Sequence, residues 1–173
     1  PAMAGDLADQ LTESARVSVL TASPGADLYA AFGHTAIRVF DPSVRLDYVF
    51  NYGTFVVDEG FYVRFVKGRM DYRLGVERYG RFQNLYLRQG RALHEQVLNL
   101  APEDVKAMAE YLEWNAQPEN ATYAYDFFRD NCATKVIAVL EEVFGDRYDA
   151  GCVPTDSTYL EALRPYTAGN PWS

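Results

Sequence analysis

Two runs of alternating residues, His34-Thr35-Ala36-Ile37-Arg38-Val39-Phe40 and Leu46-Asp47-Tyr48-Val49-Phe50-Asn51-Tyr52, are separated only by a short connection containing Asp41-Pro42-Ser43. Alternation is the period of a strand with two unlike faces, and so short a connection cannot carry a crossover to a parallel partner. The pair predicts an antiparallel hairpin that ends at Gly53. A third alternating run, Arg16-Val17-Ser18-Val19-Leu20-Thr21, stops at the turn signal Ser23-Pro24-Gly25. Residues 91–100 read as a further strand, whereas 61–67, apolar and aromatic with Arg64 and Lys67, fit helix or strand.

The helical signals are interleaved with these strands. Residues 26–32 fit one or two helical turns before Gly33. Pro102, Glu103 and Asp104 suit a first helical turn, and Val105, Met108, Ala109 and Leu112 fall on one face of a helix reaching about Asn115. Residues 118–125 read as a loop. Ala133, Val136, Ile137, Leu140 and Phe144 repeat at three and four, which predicts a helix over 131–144, with Asp130 as its N-cap and Gly145 at its end. Helices interleaved with hairpin-connected strands imply an α+β fold, an antiparallel sheet packed on helices.

A chain of 173 residues, 49% hydrophobic, is the size of one domain and buries roughly 70% of its unfolded surface on folding. Residues 1–14 are expected to be an N-terminal tail or a processing or cloning remnant, since Ala2-Met3-Ala4 has the small-x-small form left before a signal-peptidase cut. Residues 15–173 are expected to form a single domain. Sixteen basic against 24 acidic residues give a net charge of −8, which repels phosphate backbones and anionic lipid and argues against nucleic acid as a partner. No apolar run approaches the ~20 residues of a membrane span. Two Cys and two His are too few for a structural zinc site, and no metal or cofactor is expected. Oligomeric state is not legible.

Cys132 stands in the first turn of the 131–144 helix. There, free backbone N–H groups and the positive end of the dipole favour a thiolate and can hold an oxyanion beside it, although Asp130 works against the thiolate. The bland alternative is a buried core cysteine. His34, after Gly33 at the start of a strand, is the candidate base for that thiol. If the hairpin pairs symmetrically about its turn, Asn51 lies roughly opposite His34 and can orient the imidazole; a one-residue slip presents Tyr52 instead. His94 reads as an exposed strand residue. The candidate catalytic set is Cys132, His34 and Asn51.

Several separated segments carry a resemblance to a known family: Ser23-Pro24-Gly25-Ala26-Asp27-Leu28-Tyr29, Phe32-Gly33-His34-Thr35-Ala36-Ile37-Arg38, Phe50-Asn51-Tyr52-Gly53-Thr54-Phe55, Glu95 to Glu103, and Tyr125-Asp126-Phe127-Phe128-Arg129-Asp130-Asn131-Cys132-Ala133-Thr134. From about residue 15 onward the chain resembles the Lnb-type N-terminal periplasmic domain. The resemblance implies a circularly permuted papain-like (NlpC-like) fold in which the His strand precedes the Cys helix, with the Cys-His pair on Cys132 and His34. It also implies a place in the bacterial periplasm or extracytoplasmic cell envelope, and cysteine-dependent acyl transfer through a thioester, with a lipid or lipoprotein as substrate. The family's namesake is an integral membrane acyltransferase, and similar sequences generally continue past Ser173, so a truncated soluble domain is expected.

Three alternatives stand beside this reading. The Cys-His pair would serve equally in an amidase, a peptidase or a lipid hydrolase of the envelope. The aromatic stretch from Tyr48 to Phe65 suits a noncatalytic module that binds lipid or peptide. Finally, Cys132 and Cys152 could form a disulfide in an oxidising compartment, closing a loop worth ~3 kcal/mol.

Overall fold

Six strands, β1 (Arg16–Ala22), β2 (His34–Asp41), β3 (Leu46–Phe55), β4 (Asp71–Arg78), β5 (Leu93–Val97) and β6 (Thr122–Ala124), form one sheet in the order β5-β1-β2-β3-β4-β6. Every neighbouring pair is antiparallel. The helices are α1 (Leu7–Gln10), α2 (Tyr79–Arg88), α3 (Pro102–Asn115), α4 (Cys132–Phe144) and α5 (Tyr159–Thr167). The computed structural model describes residues 7–26, 30–55, 71–149, 151 and 156–167. The α+β class read from the sequence is the class observed.

Alternation along the strands sorts their side chains onto two faces, each covered by helix. Val17, Ile37, Val39, Phe50 and Tyr52 point to the larger core, where α3 brings Val105, Met108, Ala109 and Leu112 and α4 brings Val136, Val139 and Leu140. Leu20, Ala22, Ala36 and Val49 point the other way, against Phe82 and Tyr86 of α2. Met108 and Leu112 are fully buried, and each such side chain contributes about 1.5–3 kcal/mol. Leu7 and Ala8, in the stretch expected to be a tail, are buried in the larger core, with their amides donating to the Glu113 carboxylate.

Arg38 fastens the α2 face. It donates to Asp47 on β3 at 2.7 and 2.9 Å and to Glu95 on β5 at 3.0 Å, with its guanidinium 3.6 Å from the centroid of the Tyr79 ring. Two strands and a helix are thereby fixed to β2, the strand that begins with His34.

The structure corrects the sequence reading in three places. The expected loop over 118–125 contains β6, a short edge strand whose Thr122–Ala124 pair with Asp71–Arg73 of β4. The helix cap is Asn131 rather than Asp130, because the Asp130 carboxylate is held by Lys135 at 2.9 Å and its backbone is tied to Asp126. Gly53 does not end β3 but lies within it, where the register with β4 shifts between Tyr52 and Thr54. The expectations for 61–67, for residues 27–29 of the turns at 26–32 and for Cys152 fall outside the described residues.

Candidate active site

His34 starts β2 because the chain can turn sharply just before it. Gly33 has φ 77°, and a Cβ there would lie 2.7 Å from the carbonyl oxygen of Ala22, so only glycine fits. On the opposing strand the register runs Arg38–Val49 and Ile37–Phe50. Continued outward, it sets Asn51 across from Ala36 and Gly53 across from His34. The expected pairing of Asn51 with His34 is therefore off by two residues. A shift of two keeps the side chain on the same face, and Asn51 reaches diagonally to His34 at 2.6 Å between Oδ1 and Nε2. Gly53 lies against the imidazole, where a Cβ would sit 3.4 Å from His34 Cε1, and its φ of 115° is what calls for glycine.

An amide oxygen only accepts, so this hydrogen bond assigns the imidazole proton to Nε2 and leaves Nδ1 with a lone pair. Burial lowers the His34 pKa below its ordinary value, the Asn51 bond raises it in part, and the Arg91 charge lowers it again. The net shift is downward, and at neutral pH His34 is an uncharged base. The Tyr86 ring lies nearly parallel to the imidazole at 6.3 Å, with Phe82 at 6.5 Å.

Cys132 comes to the site by a different route. Asn131 caps α4, its Oδ1 accepting from the amides of Ala133 at 2.9 Å and Thr134 at 3.1 Å, while Thr134 Oγ1 accepts from the Asn131 amide at 2.8 Å. This reciprocal box fixes the first turn. Asn131 Nδ2 donates to the Phe127 carbonyl, and Asp126 accepts from the amides of Phe128 and Arg129, so the approach to the helix is a tied turn. Two of the first-turn amides are thus occupied, which narrows the expected oxyanion donors to the amide of Cys132 itself. Cys132 is a free, half-buried thiol among the described residues.

Cys132, His34 and Asn51 all line one cavity of about 680 Å³ at the end of the sheet where β2 begins and β3 ends, a size suited to a small-molecule or chain substrate. Tyr72 and Tyr125 also line it, their rings stacked at 4.2 Å. Tyr72 is pushed up to about 12 by burial, by Tyr125 and by charge at Cys132. Tyr125 is raised by burial, then by Cys132 and Asp126. Both therefore offer neutral hydroxyls beside the sulfur. His94 lies exposed on β5, away from the cavity, as its alternating segment predicts.

The rim is apolar. Phe32, Leu85, Phe127 and Phe128 line the cavity and remain exposed, Phe127 at 37% and Phe128 at 38%. They continue into a chain of rings: Phe32 to Phe127 at 4.7 Å, Phe127 to Phe128 at 4.9 Å and Phe128 to Tyr159 at 4.2 Å. Among the described residues no three metal-ligating side chains converge, and no helix is long and apolar enough to cross a membrane.

The sequence reading did not identify Tyr72, Tyr86, Arg91 and Tyr125 as cavity residues. Tyr79, Phe82 and Tyr86 repeat at three and four, which is the available signal for α2 and its packing against His34. Tyr72 lies on a strand whose residues do not alternate cleanly, and nothing in the local pattern marks Arg91.

No curated protein and no solved structure matches the chain. The model of the Lnb N-terminal periplasmic domain matches residues 8–162, a span that takes in every lining residue of the cavity. The chain belongs to the Lnb N-terminal periplasmic domain family, and its place is the periplasm.

Proposed function

We propose that this domain catalyses cysteine-dependent acyl transfer through a thioester on Cys132. The observation that carries the reading is the His34–Asn51 hydrogen bond, which leaves Nδ1 unprotonated on an imidazole that lines the same cavity as a free thiol. In the first step His34 Nδ1 takes the Sγ proton and the sulfur attacks the carbonyl carbon of an ester or amide. The oxyanion that forms is held by the Cys132 amide and a tyrosine hydroxyl. The carbon–oxygen or carbon–nitrogen bond then breaks, the leaving group receives the proton from His34, and the acyl group remains on sulfur. In the second step His34 Nδ1 takes a proton from an attacking amine, the carbon–sulfur bond breaks, and His34 passes that proton to the departing thiolate. The apolar rim of Phe32, Leu85, Phe127 and Phe128 supports a fatty acyl chain as the group transferred, each buried methylene adding about 0.8 kcal/mol. A His strand that precedes a Cys helix, with an Asn on the imidazole, supports a circularly permuted papain-like arrangement.

The test is intact-mass analysis after mixing with fatty acyl esters of increasing chain length. An adduct of the acyl mass on wild-type protein, absent in Cys132→Ala and discharged by an added amine, is the expected result. Discharge by water in preference to the amine makes the domain a hydrolase. If no adduct forms across ester and amide donors while Cys132→Ala still binds the lipid, the domain is a binding module and the proposal fails.

A further inference from the structure

Arg91 lines the cavity beside His34 and Cys132, yet its guanidinium is only partly engaged. Nε donates to the Ser23 carbonyl at 2.7 Å, Nη1 donates to Gln89 Oε1 at 3.1 Å, and the Tyr86 ring lies 4.7 Å away. The residue is 7% exposed, and its buried Nη2 has no acceptor. Among the described residues no carboxylate pairs with it. Among the described residues lining the cavity none is Asp or Glu, although acidic side chains outnumber basic ones 24 to 16 over the whole chain. Arg91 is thus the one permanently charged side chain among the described residues of the lining.

A buried guanidinium donor without an acceptor is costly, and such groups are normally paired. We propose that Arg91 is an anion subsite that receives a carboxylate or phosphate group of the substrate whose acyl group Cys132 takes. The proposal rests on the acyl-transfer reading and specifies its substrate class: an acyl donor that carries an oxyanion. Gln89 is itself exposed, so an anion at the guanidinium competes only with a neutral amide oxygen for Nη1 and supplies the acceptor that Nη2 lacks. The Ser23 bond and the Tyr86 ring hold the group in place, so little order is lost on binding. A charge-assisted bond in this water-poor wall is stronger than at the surface. An anion there also offsets the Arg91 charge that acts on His34.

Two measurements test this separately from the chemistry. In folded Cys132→Ala, which cannot turn over, glutarate and inorganic phosphate are titrated while the His34 ring resonances are followed by NMR. The expected result is a saturable shift with at least one anion, lost in Cys132→Ala/Arg91→Gln and retained in part in Cys132→Ala/Arg91→Lys. The stronger of the two anions identifies carboxylate or phosphate as the group recognised. No saturable shift with either anion, or a shift that survives Arg91→Gln, overturns the subsite. In wild-type protein, matched acyl esters ending in methyl, carboxylate or phosphate are compared. The anionic ester is expected to be favoured in kcat/KM by about tenfold or more, and the ratio collapses toward one in Arg91→Gln. If that variant does not fold, the wild-type ratio decides, and a value near one overturns the proposal. Anion binding through Arg91 with no turnover of any ester would sink the acyl-transfer reading while the anion subsite stands.

Discussion

Asn51 accepts a hydrogen bond from His34 across a diagonal of the β2–β3 ladder, 2.6 Å from Oδ1 to Nε2, and not from the position directly opposite. The ladder continued outward gives that position to Gly53, whose φ of 115° carries the backbone past the imidazole. The placement of the base is thus shared between two residues of β3. Asn51 fixes the tautomer, and Gly53 supplies the backbone turn beside the ring.

Asn51→Ala is expected to lower kcat on the order of 10- to 100-fold, part of the 10²–10⁴ that positioned acid–base chemistry contributes. The Asn51 bond raises the His34 pKa against burial, so its loss lowers that pKa further. The acid limb of the pH–rate profile should therefore move to lower pH while its plateau falls. A plateau that falls with no movement of the limb would mean that Asn51 acts on packing alone.

Gly53→Ala is expected to destabilise the fold by about 1–3 kcal/mol, the usual range for a strained backbone position, since Gly53 has φ 115°. It also places a methyl 3.4 Å from His34 Cε1. Gly145→Ala is the control, because its φ of 51° is strained too but its Cβ would meet nothing within 4 Å. Thermal melts should show both losses. Only Gly53→Ala should also lose Cys132-dependent activity at a temperature where it remains folded.

His34 makes stability depend on pH in a defined direction. Its folded-state pKa lies below the ordinary 6.5, so between those two values the unfolded chain binds more protons than the folded one. Its contribution is complete above about pH 6.5 and is lost as pH falls toward the folded pKa, with no further change below it. Denaturant midpoints at pH 7.5 and 5.0 should therefore differ more for wild type than for His34→Gln, in a window that lies above the carboxylate titrations. Equal differences would mean that the imidazole is as well solvated in the folded state as in the unfolded one.

Much of this is legible locally. The β2–β3 hairpin, β1, the amphipathic α3 and the helix bearing Cys132 follow from period and capping chemistry, and Cys132, His34 and Asn51 stand out by residue type and position. Illegible are the features that depend on contacts between distant segments. The register that offsets Asn51 from His34 is set by side-chain burial along the whole hairpin, not by symmetry about the turn. β6 is only three residues long and exists because the edge of β4 accepts it. Arg91 becomes a cavity residue only when Ser23, 68 positions earlier, and Tyr86 on α2 close around it.

The same logic separates Asn131 from Asp130, adjacent residues that are both good cap formers. Asn131 satisfies two amides and tethers Phe127, so Asn131→Ala should cost about 1 kcal/mol or more and loosen the turn that presents Cys132. Asp130 makes a partly exposed pair with Lys135, the carboxylate side chain being 34% accessible, and such pairs contribute about 0–1 kcal/mol. Urea midpoints should rank Asn131→Ala as less stable than Asp130→Ala. The rate at which a thiol probe labels Cys132 should change more in Asn131→Ala as well, because the cap holds the first turn and the ion pair does not. The reverse ranking in both measurements would return the cap to Asp130.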